Sequence, residues 1–492
     1  MQGNLKSVYS QVPLTVVVIG ASGDLSMRKI FPAFYALYVQ KHLPHKFYIV
    51  GFARTPLNTD SFREQIGLWL EKEVRNISLK ERDDFIGNCY YCQGNYNNID
   101  DYNRLGKLIE ELEKNEKSNK IYYMAIPPFL FLTVSNSLHL SNLSNDSGGQ
   151  TWTRVVVEKP FGRDRESSDE LTVGLQRVFR EDQIYRIDHY LAKEVIQNLM
   201  VLRFANLILE PIWNRQYVDN IRISWMEDLG VEGRGGYFDE YGIIRDVMQN
   251  HLLQMVALIA MEQPIRYEAD YIRDEKVKIL RCITPVSLSH LVIGQYGPGI
   301  HKGEQKVGYR EEEGISLSSI TPTYSAVVLF VKNRRWDGVP FLLRAGKGLS
   351  KKMTEIKVQF KDVPANIFSE IVPHMSPNEL VIRVQPEAMI ALKIVNKVPG
   401  LTLSLRESYL DLSYESAFET RVPEAYELLL LDVIRGDRSL FIRSDELESA
   451  WDIFTPVLHE LENKRIQPTI YPFGSDGPAS ADLLASRFGT TW

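Results

Sequence analysis

Cysteine is scarce in this chain: Cys89, Cys92 and Cys282 are the only three among 492 residues. A disulfide framework is thereby excluded, and a reducing, cytoplasmic setting is expected. Cys89 and Cys92 have the spacing of a redox motif. No second pair or histidine cluster accompanies them, so they read as ordinary thiols of a strand, and no metal is expected. Long apolar runs are also missing. The longest late run, residues 252–261, covers about half a bilayer span. The early run 12–19 is interrupted by Pro13 and leads into a Gly-Ala-Ser-Gly turn. It reads as a first strand rather than the core of a signal peptide, and no membrane partner is expected. Positive charge is not in excess either. The net charge of -6 disfavours a nucleic-acid partner. An anionic substrate would need local cations working against that overall charge.

What is present divides into two grammars. The first part alternates short, unbroken apolar strands (14–19, 46–52, 121–126 and 154–157) with helical stretches such as 28–40 and 102–114. A loop rich in Ser, Asn and Gly covers 141–150. Such strands imply a parallel sheet covered on both faces, an α/β Rossmann-like coenzyme domain. After about residue 190 the period becomes two: Ile221, Ile223 and Trp225, then Ile356, Val358 and Phe360, then Leu380, Ile382 and Val384, then Ile390, Leu392 and Ile394. That pattern predicts half-buried antiparallel strands. With helices over 242–261 and 425–435, the second domain is expected to be α+β on a large, mainly antiparallel sheet. The expected domains are 10–188 for the coenzyme and 189–492 for substrate and oligomerisation.

Gly20, Ala21, Ser22, Gly23, Asp24 and Leu25 follow the first strand and open a helix. Glycines there permit a tight turn and close approach of a pyrophosphate to the helix N-terminus. The second strand ends in Arg54 where NAD binders commonly carry an acid; an arginine suits a 2′-phosphate, so NADP is favoured over NAD. Lys159 follows another strand, where ligands of open α/β sheets bind. Its blander assignment is a local pair with Glu158.

Arg186-Ile187-Asp188-His189-Tyr190-Leu191-Ala192-Lys193-Glu194 is the densest chemical run. Leu191, Val195, Asn198, Leu199 and Leu202 continue it as a helical stripe. On a helix, His189 and Lys193 would share a face and offer two cations to a phosphate dianion. Asp188 would precede that helix, as an N-cap or aimed elsewhere. His251 borders the apolar stripe Ile244, Met248, Leu252, Met255 and Ile259. By itself it reads more readily as a satisfied core histidine than as a catalyst.

These runs, with Glu158-Lys159-Pro160-Phe161-Gly162, Gly233-Arg234-Gly235-Gly236-Tyr237-Phe238-Asp239, Ile244-Arg245-Asp246-Val247-Met248-Gln249-Asn250-His251, Trp336-Asp337-Gly338-Val339-Pro340-Phe341 and Arg344-Ala345-Gly346-Lys347, occur in the order of a known family. The chain resembles glucose-6-phosphate dehydrogenases over nearly its whole length. The resemblance implies oxidation of glucose 6-phosphate at C1 to 6-phosphoglucono-1,5-lactone with NADP, the first step of the oxidative pentose phosphate pathway. It implies His251 as general base with Asp188 as its partner, and His189, Tyr190 and Lys193 on the phosphate. It places Lys159, Glu227, Asp246 and Lys347 around the sugar, with Lys352 where many relatives have arginine. Gly20 to Leu25, Arg54, Tyr123 and Lys159 match coenzyme contacts. Arg383 and Gln385, with Trp492, fit the second, structural NADP of some relatives, although Met353 falls where a basic residue is expected. Ala192 replaces a glycine usual in the signature. The family forms dimers and tetramers, and the second sheet is the expected face. The alternatives are a non-catalytic sugar-phosphate or NADP sensor on the same fold, which would have little need of Asp188 and His251, and an oxidoreductase of a neutral sugar.

Overall fold

The computed structural model describes residues 12–114, 116–145, 149–372, 375–418 and 421–492. The expected domain start at residue 10 and the middle of the 141–150 loop lie outside the described residues. Six strands of the first part, β1 (Leu14–Ile19), β2 (Phe47–Ala53), β3 (Cys89–Gln93), β4 (Asn119–Met124), β5 (Thr153–Val157) and β6 (Ile184–Ile187), pair in parallel. Their order, β3-β2-β1-β4-β5-β6, reverses direction at β1. A crevice therefore opens between the carboxyl ends of β1 and β4, where such sheets bind ligands. β1 is buried at every position, as an apolar run covered on both faces requires. Cys89 and Cys92 are three apart on β3, and their side chains enter different core clusters on opposite sides of the sheet. Successive strand side chains alternate in direction, so the pair cannot form a redox couple.

The second part builds β7 (Val218–Met226), β8 (Leu291–Gly297), a small ribbon of β9 (Gly299–His301) and β10 (Glu304–Lys306), then β11 (Tyr324–Phe330), β12 (Pro340–Gly346), β13 (Met353–Phe360), β14 (Glu379–Gln385), β15 (Met389–Lys397) and β16 (Leu405–Ser413). Two late strands follow, β17 (Phe441–Ile442) and β18 (Thr469–Pro472). The large sheet runs β16-β15-β14-β13-β7-β12-β11-β8-β18. All neighbours are antiparallel except β7 with β12 and β8 with β18. The sheet is thus mixed but mostly antiparallel.

Three expectations change on contact with the fold. β7 is not half-buried. Arg222 and Ser224, on the face opposite Ile221, Ile223 and Trp225, are buried as well, because the C-terminal tail covers them: Arg222 donates to the Thr491 carbonyl and Arg344 lies over the Trp492 ring, 5.1 Å from its centroid. A cut after residue 188 also misses a return of the chain. β17 pairs antiparallel with β6, and Leu429, Leu430 and Val433 of the helix Ala425–Arg435 enter the core of the first sheet. Finally, the helix expected over 242–261 is interrupted. Gly242, at φ +67°, breaks the segment Gly235–Ile243, a π-helix runs Ile244–Leu252, and an α-helix continues Leu253–Ala260.

Candidate active site

Asp188 follows the end of β6, and His251 sits on the π-helix. Both are almost inaccessible, and Nδ1 of His251 meets Oδ1 of Asp188 at 2.5 Å. The same Oδ1 accepts the Tyr190 backbone N–H at 3.0 Å. Burial would raise the Asp188 pKa, but His251 close by outweighs it, by charge and by hydrogen bond, and holds the carboxyl at about 2. An ionised Asp188 selects the tautomer with hydrogen on Nδ1, so Nε2 of His251 is the basic nitrogen. Burial lowers the His251 pKa, Asp188 works against that fall, and Lys159 adds to it. The imidazole is therefore neutral at physiological pH and ready to accept a proton.

The π-helix explains the company His251 keeps. Residues five apart align along i→i+5 hydrogen bonds, whereas an α-helix would turn them to different faces. Asp246 and His251 are such a pair, and they interact electrostatically. Lys159 Nζ donates to the Asp246 carbonyl at 2.6 Å and to its carboxylate at 3.2 Å. Burial would raise Asp246, yet Lys159 and Lys347 together hold it at about 2. Lys159 thus pairs with Asp246 and not with its neighbour Glu158. Glu158 is instead held by the hydroxyls of Tyr123 at 2.5 Å and Tyr426 at 3.2 Å. The Lys159–Pro160 bond is cis. Across the site, Lys347 Nζ donates to Glu227 at 2.6 Å and lies over the rings of Trp225 and Phe238.

The run 188–194 takes a different form from the expected helix. Turns occupy 189–192, Lys193 is the N-cap, and the helix is Glu194–Phe204. His189 packs edge-on to His251, with ring centroids 4.8 Å apart. Burial, with His251 second, pushes its pKa down to about 3. His189 therefore offers a neutral N–H, not the cation expected from sequence. Lys193 is lowered first by burial and then by Lys352. Lys352 reaches this corner from the start of the β13 hairpin. Two lysines near one helix N-terminus repel each other until an anion joins them. Ala192 precedes the helix, its methyl is buried in the first-domain core, and its φ is not left-handed, so the site tolerates a side chain there.

The coenzyme residues lie at the sheet crevice. Gly20 has φ +87°, and a Cβ there would come within 2.2 Å of the Ala125 carbonyl oxygen. Only glycine lets the turn after β1 press against the end of β4. Ser22 and Thr55 hydroxyls bond at 2.8 Å, tying that turn to the end of β2, where exposed Arg54 lies 5.5 Å from the Tyr96 ring centroid. A glycine turn, a helix entrance and an exposed arginine fit a phosphorylated dinucleotide. The Tyr123 side chain is fully buried with its hydroxyl on Glu158, so what Tyr123 can offer a coenzyme is its backbone near the end of β4. The residues expected at a second NADP have partners within the chain. Arg383 pairs with Glu355 at 2.9 Å, and Gln385 donates to Thr354 at 3.0 Å while facing the Tyr190 hydroxyl. Trp492 spends its indole N–H on the Ala481 carbonyl.

Several participants had no local signal in the sequence. Trp225 donates its indole N–H to Tyr190, Tyr426 comes from a helix far along the chain, and Thr55 lies just beyond a strand end. A cleft of about 590 Å³ is lined by Arg28, Tyr35, Arg75 and Glu424 among others and contains neither Asp188 nor His251. Asp164, Glu166 and His459 lie close enough to share a cation, but Asp164 already caps its helix through Ser167.

The comparisons with known proteins agree along the whole chain. Residues 17–198 match the model of the glucose-6-phosphate dehydrogenase NAD binding domain, and residues 200–492 match that of the C-terminal domain. The chloroplastic glucose-6-phosphate 1-dehydrogenase of Spinacia oleracea is 47% identical, over 99% of this chain and 85% of that protein. The Dictyostelium discoideum glucose-6-phosphate 1-dehydrogenase is 46% identical, over 98% and 95%. A solved glucose-6-phosphate dehydrogenase in complex with glucose-6-phosphate superposes with a TM-score of 0.90 at 39% identity, covering 97% of this chain and 98% of the other. By two matching domain models and close relatives over nearly its full length, the chain belongs to the glucose-6-phosphate dehydrogenase family.

Proposed function

We propose that this protein oxidises glucose 6-phosphate at C1 to 6-phosphoglucono-1,5-lactone, with NADP as coenzyme. The observation that carries the reading is the buried Asp188–His251 pair, which leaves Nε2 as the basic nitrogen, with Lys159 acting electrostatically on His251 and Lys193 on the neighbouring His189. NADP bound at the crevice supplies the hydride acceptor. His251 Nε2 takes the proton of the C1 hydroxyl, and Asp188 stabilises the imidazolium that results. Lys193 and Lys352 meet the phosphate dianion at the start of the helix Glu194–Phe204, and His189 and Tyr190 lend hydrogen bonds. Lys159, Asp246, Glu227 and Lys347 hold the sugar hydroxyls by exchanging their present ion pairs for substrate. Gly20 to Leu25 and Arg54 hold the coenzyme, and Arg54 reads its 2′-phosphate. A sensor would have no use for the acid–base pair.

The decisive assay follows coenzyme reduction with glucose 6-phosphate or glucose, and with NADP or NAD. Rapid reduction of NADP by the phosphorylated sugar alone is expected. No reduction by either sugar would overturn the reading. The protein is also read as a homodimer or homotetramer through its large sheet, since Tyr409, Leu410 and Leu412 of β16 are exposed. Analytical ultracentrifugation checks this, and a monomer at working concentration would refute it. The free thiols of Cys89, Cys92 and Cys282 support a reducing compartment, which we read as the cytoplasm; cell fractionation tests it, and a plastid location would overturn it. Among the described residues no helix is long and apolar enough to cross a membrane.

A further inference from the structure

Asn250 is buried, directly precedes His251, and bridges two backbone groups of the π-helix. Its Nδ2 donates to the Arg245 carbonyl at 2.8 Å, five residues back, and its Oδ1 accepts the His251 backbone N–H at 2.7 Å. One amide side chain thus clamps the widened turn from end to end. A π-turn has poorer packing than an α-turn and survives where side chains supply what the backbone loses. The opposite end of that turn is fixed too. Arg245 is pinned outside the site by its Nε on the Arg163 carbonyl and its guanidinium on Glu462, each at 2.6 Å. Lys159 draws on the Asp246 carbonyl, next to the one Asn250 holds.

The consequence falls on His251. Relaxation of the turn to an α-helix would rotate the imidazole relative to Asp246 and to Asp188, which is held on a different domain sheet. The 2.5 Å contact with Asp188 leaves no slack for such a rotation. Asn250 itself spends its side-chain bonds on the backbone; it lies with Lys159, Phe161, Gln254 and Trp451 around a small cavity of about 20 Å³.

We infer that Asn250 is a positioning residue for the reaction, a side-chain clamp that holds the π-turn and thereby aligns His251 with Asp188. The inference rests on the assignment of His251 as the base. Three variants, Asn250→Ala, Asn250→Asp and His251→Asn, separate the two claims, with kcat, KM and the pH profile of kcat/KM measured for each. Asn250→Ala is expected to lower kcat by about a hundred-fold, the usual cost of an ångström-scale misplacement, with KM for glucose 6-phosphate changed less than about three-fold. Because Asp188 raises the His251 pKa, loosening their contact moves the acid limb to lower pH. Asn250→Asp keeps the acceptor for His251 N–H and recovers part of kcat. If His251→Asn is inactive while both Asn250 variants keep kcat and the parental acid limb, the clamp is refuted and the base stands. An equal loss in kcat and affinity with an unmoved acid limb also refutes it, as a packing defect. If His251→Asn keeps turnover, the assignment of the base fails first. Should Asn250→Ala not fold, Asn250→Asp decides alone: parental kcat and an unmoved acid limb refute the clamp, while reduced kcat at near-parental KM with a displaced acid limb upholds it.

Discussion

At the scale of single residues, the site works by assigning different protonation states to neighbours. Asp188 is kept ionised, His189 is kept neutral by burial, and His251 is kept neutral but partnered. Replacement of His251 by asparagine is expected to lower turnover by roughly a hundred-fold or more, with substrate affinity nearly unchanged; steady-state kinetics checks this, and near-normal turnover would remove His251 from the mechanism. Arg54→Ala is expected to raise KM for NADP about ten-fold or more, as loss of a charged partner to a phosphate would, and to leave KM for NAD nearly unchanged. Parallel changes would mean that Arg54 does not read the 2′-phosphate. The dense run 186–194 made Asp188 and Lys193 visible as titratable candidates, whereas His251, at the edge of an apolar stripe, was singled out only by the family resemblance. Sequence alone misjudged His189 as a cation, since charge state depends on burial and on His251, which lies sixty-two positions away.

At the scale of elements, strands were easier to read than helix interiors. The apolar runs at 14–19 and 154–157 match β1 and β5 within one residue, because buried parallel strands admit little else. The 242–261 stretch carried a convincing helical stripe and is helical, but its middle is π and its start is broken at Gly242. Periodicity of apolar residues cannot distinguish these, since a wide turn stabilised by Lys159 and Asn250 leaves the core-facing stripe intact. The turn after β1 gives a sharp test. Gly20→Ala places a methyl against the Ala125 carbonyl at a positive φ, so coenzyme affinity should fall strongly and thermal stability by about 1–3 kcal/mol. Fluorescence titration with NADPH and thermal melts check both, and wild-type behaviour in both would show that the turn has room to yield.

At the scale of the whole molecule, buried charge makes the fold sensitive to acid. His189, at about 3 when folded against the ordinary 6.5, binds its proton more readily in the unfolded chain. Its contribution to stability is complete above about pH 6.5 and is lost as pH falls toward 3. Asp188 and Asp246, at about 2 when folded, contribute above their unfolded value near 4 and lose that contribution as pH falls further. Melting temperature should therefore decline from about pH 6.5 downward. His189→Asn should flatten the upper part of that decline, and an unchanged slope would show that His189 is not the group responsible. The domains are also less separate than the change of grammar near residue 190 suggested. β17 and the helix Ala425–Arg435 return to the first sheet, and Tyr426 of that helix reaches Glu158 beside Lys159.

The sequence by itself determined the coenzyme-domain architecture and the family, because local apolar period and the order of dense motifs survive without coordinates. The tertiary structure decided which charges are real and who partners whom. Lys159 pairs with Asp246 rather than Glu158, the Tyr123 hydroxyl donates to Glu158, Lys352 comes to act on Lys193, and Arg383 pairs with Glu355. Those outcomes depend on burial and on contacts across two sheets, and neither is encoded in any short stretch of the chain.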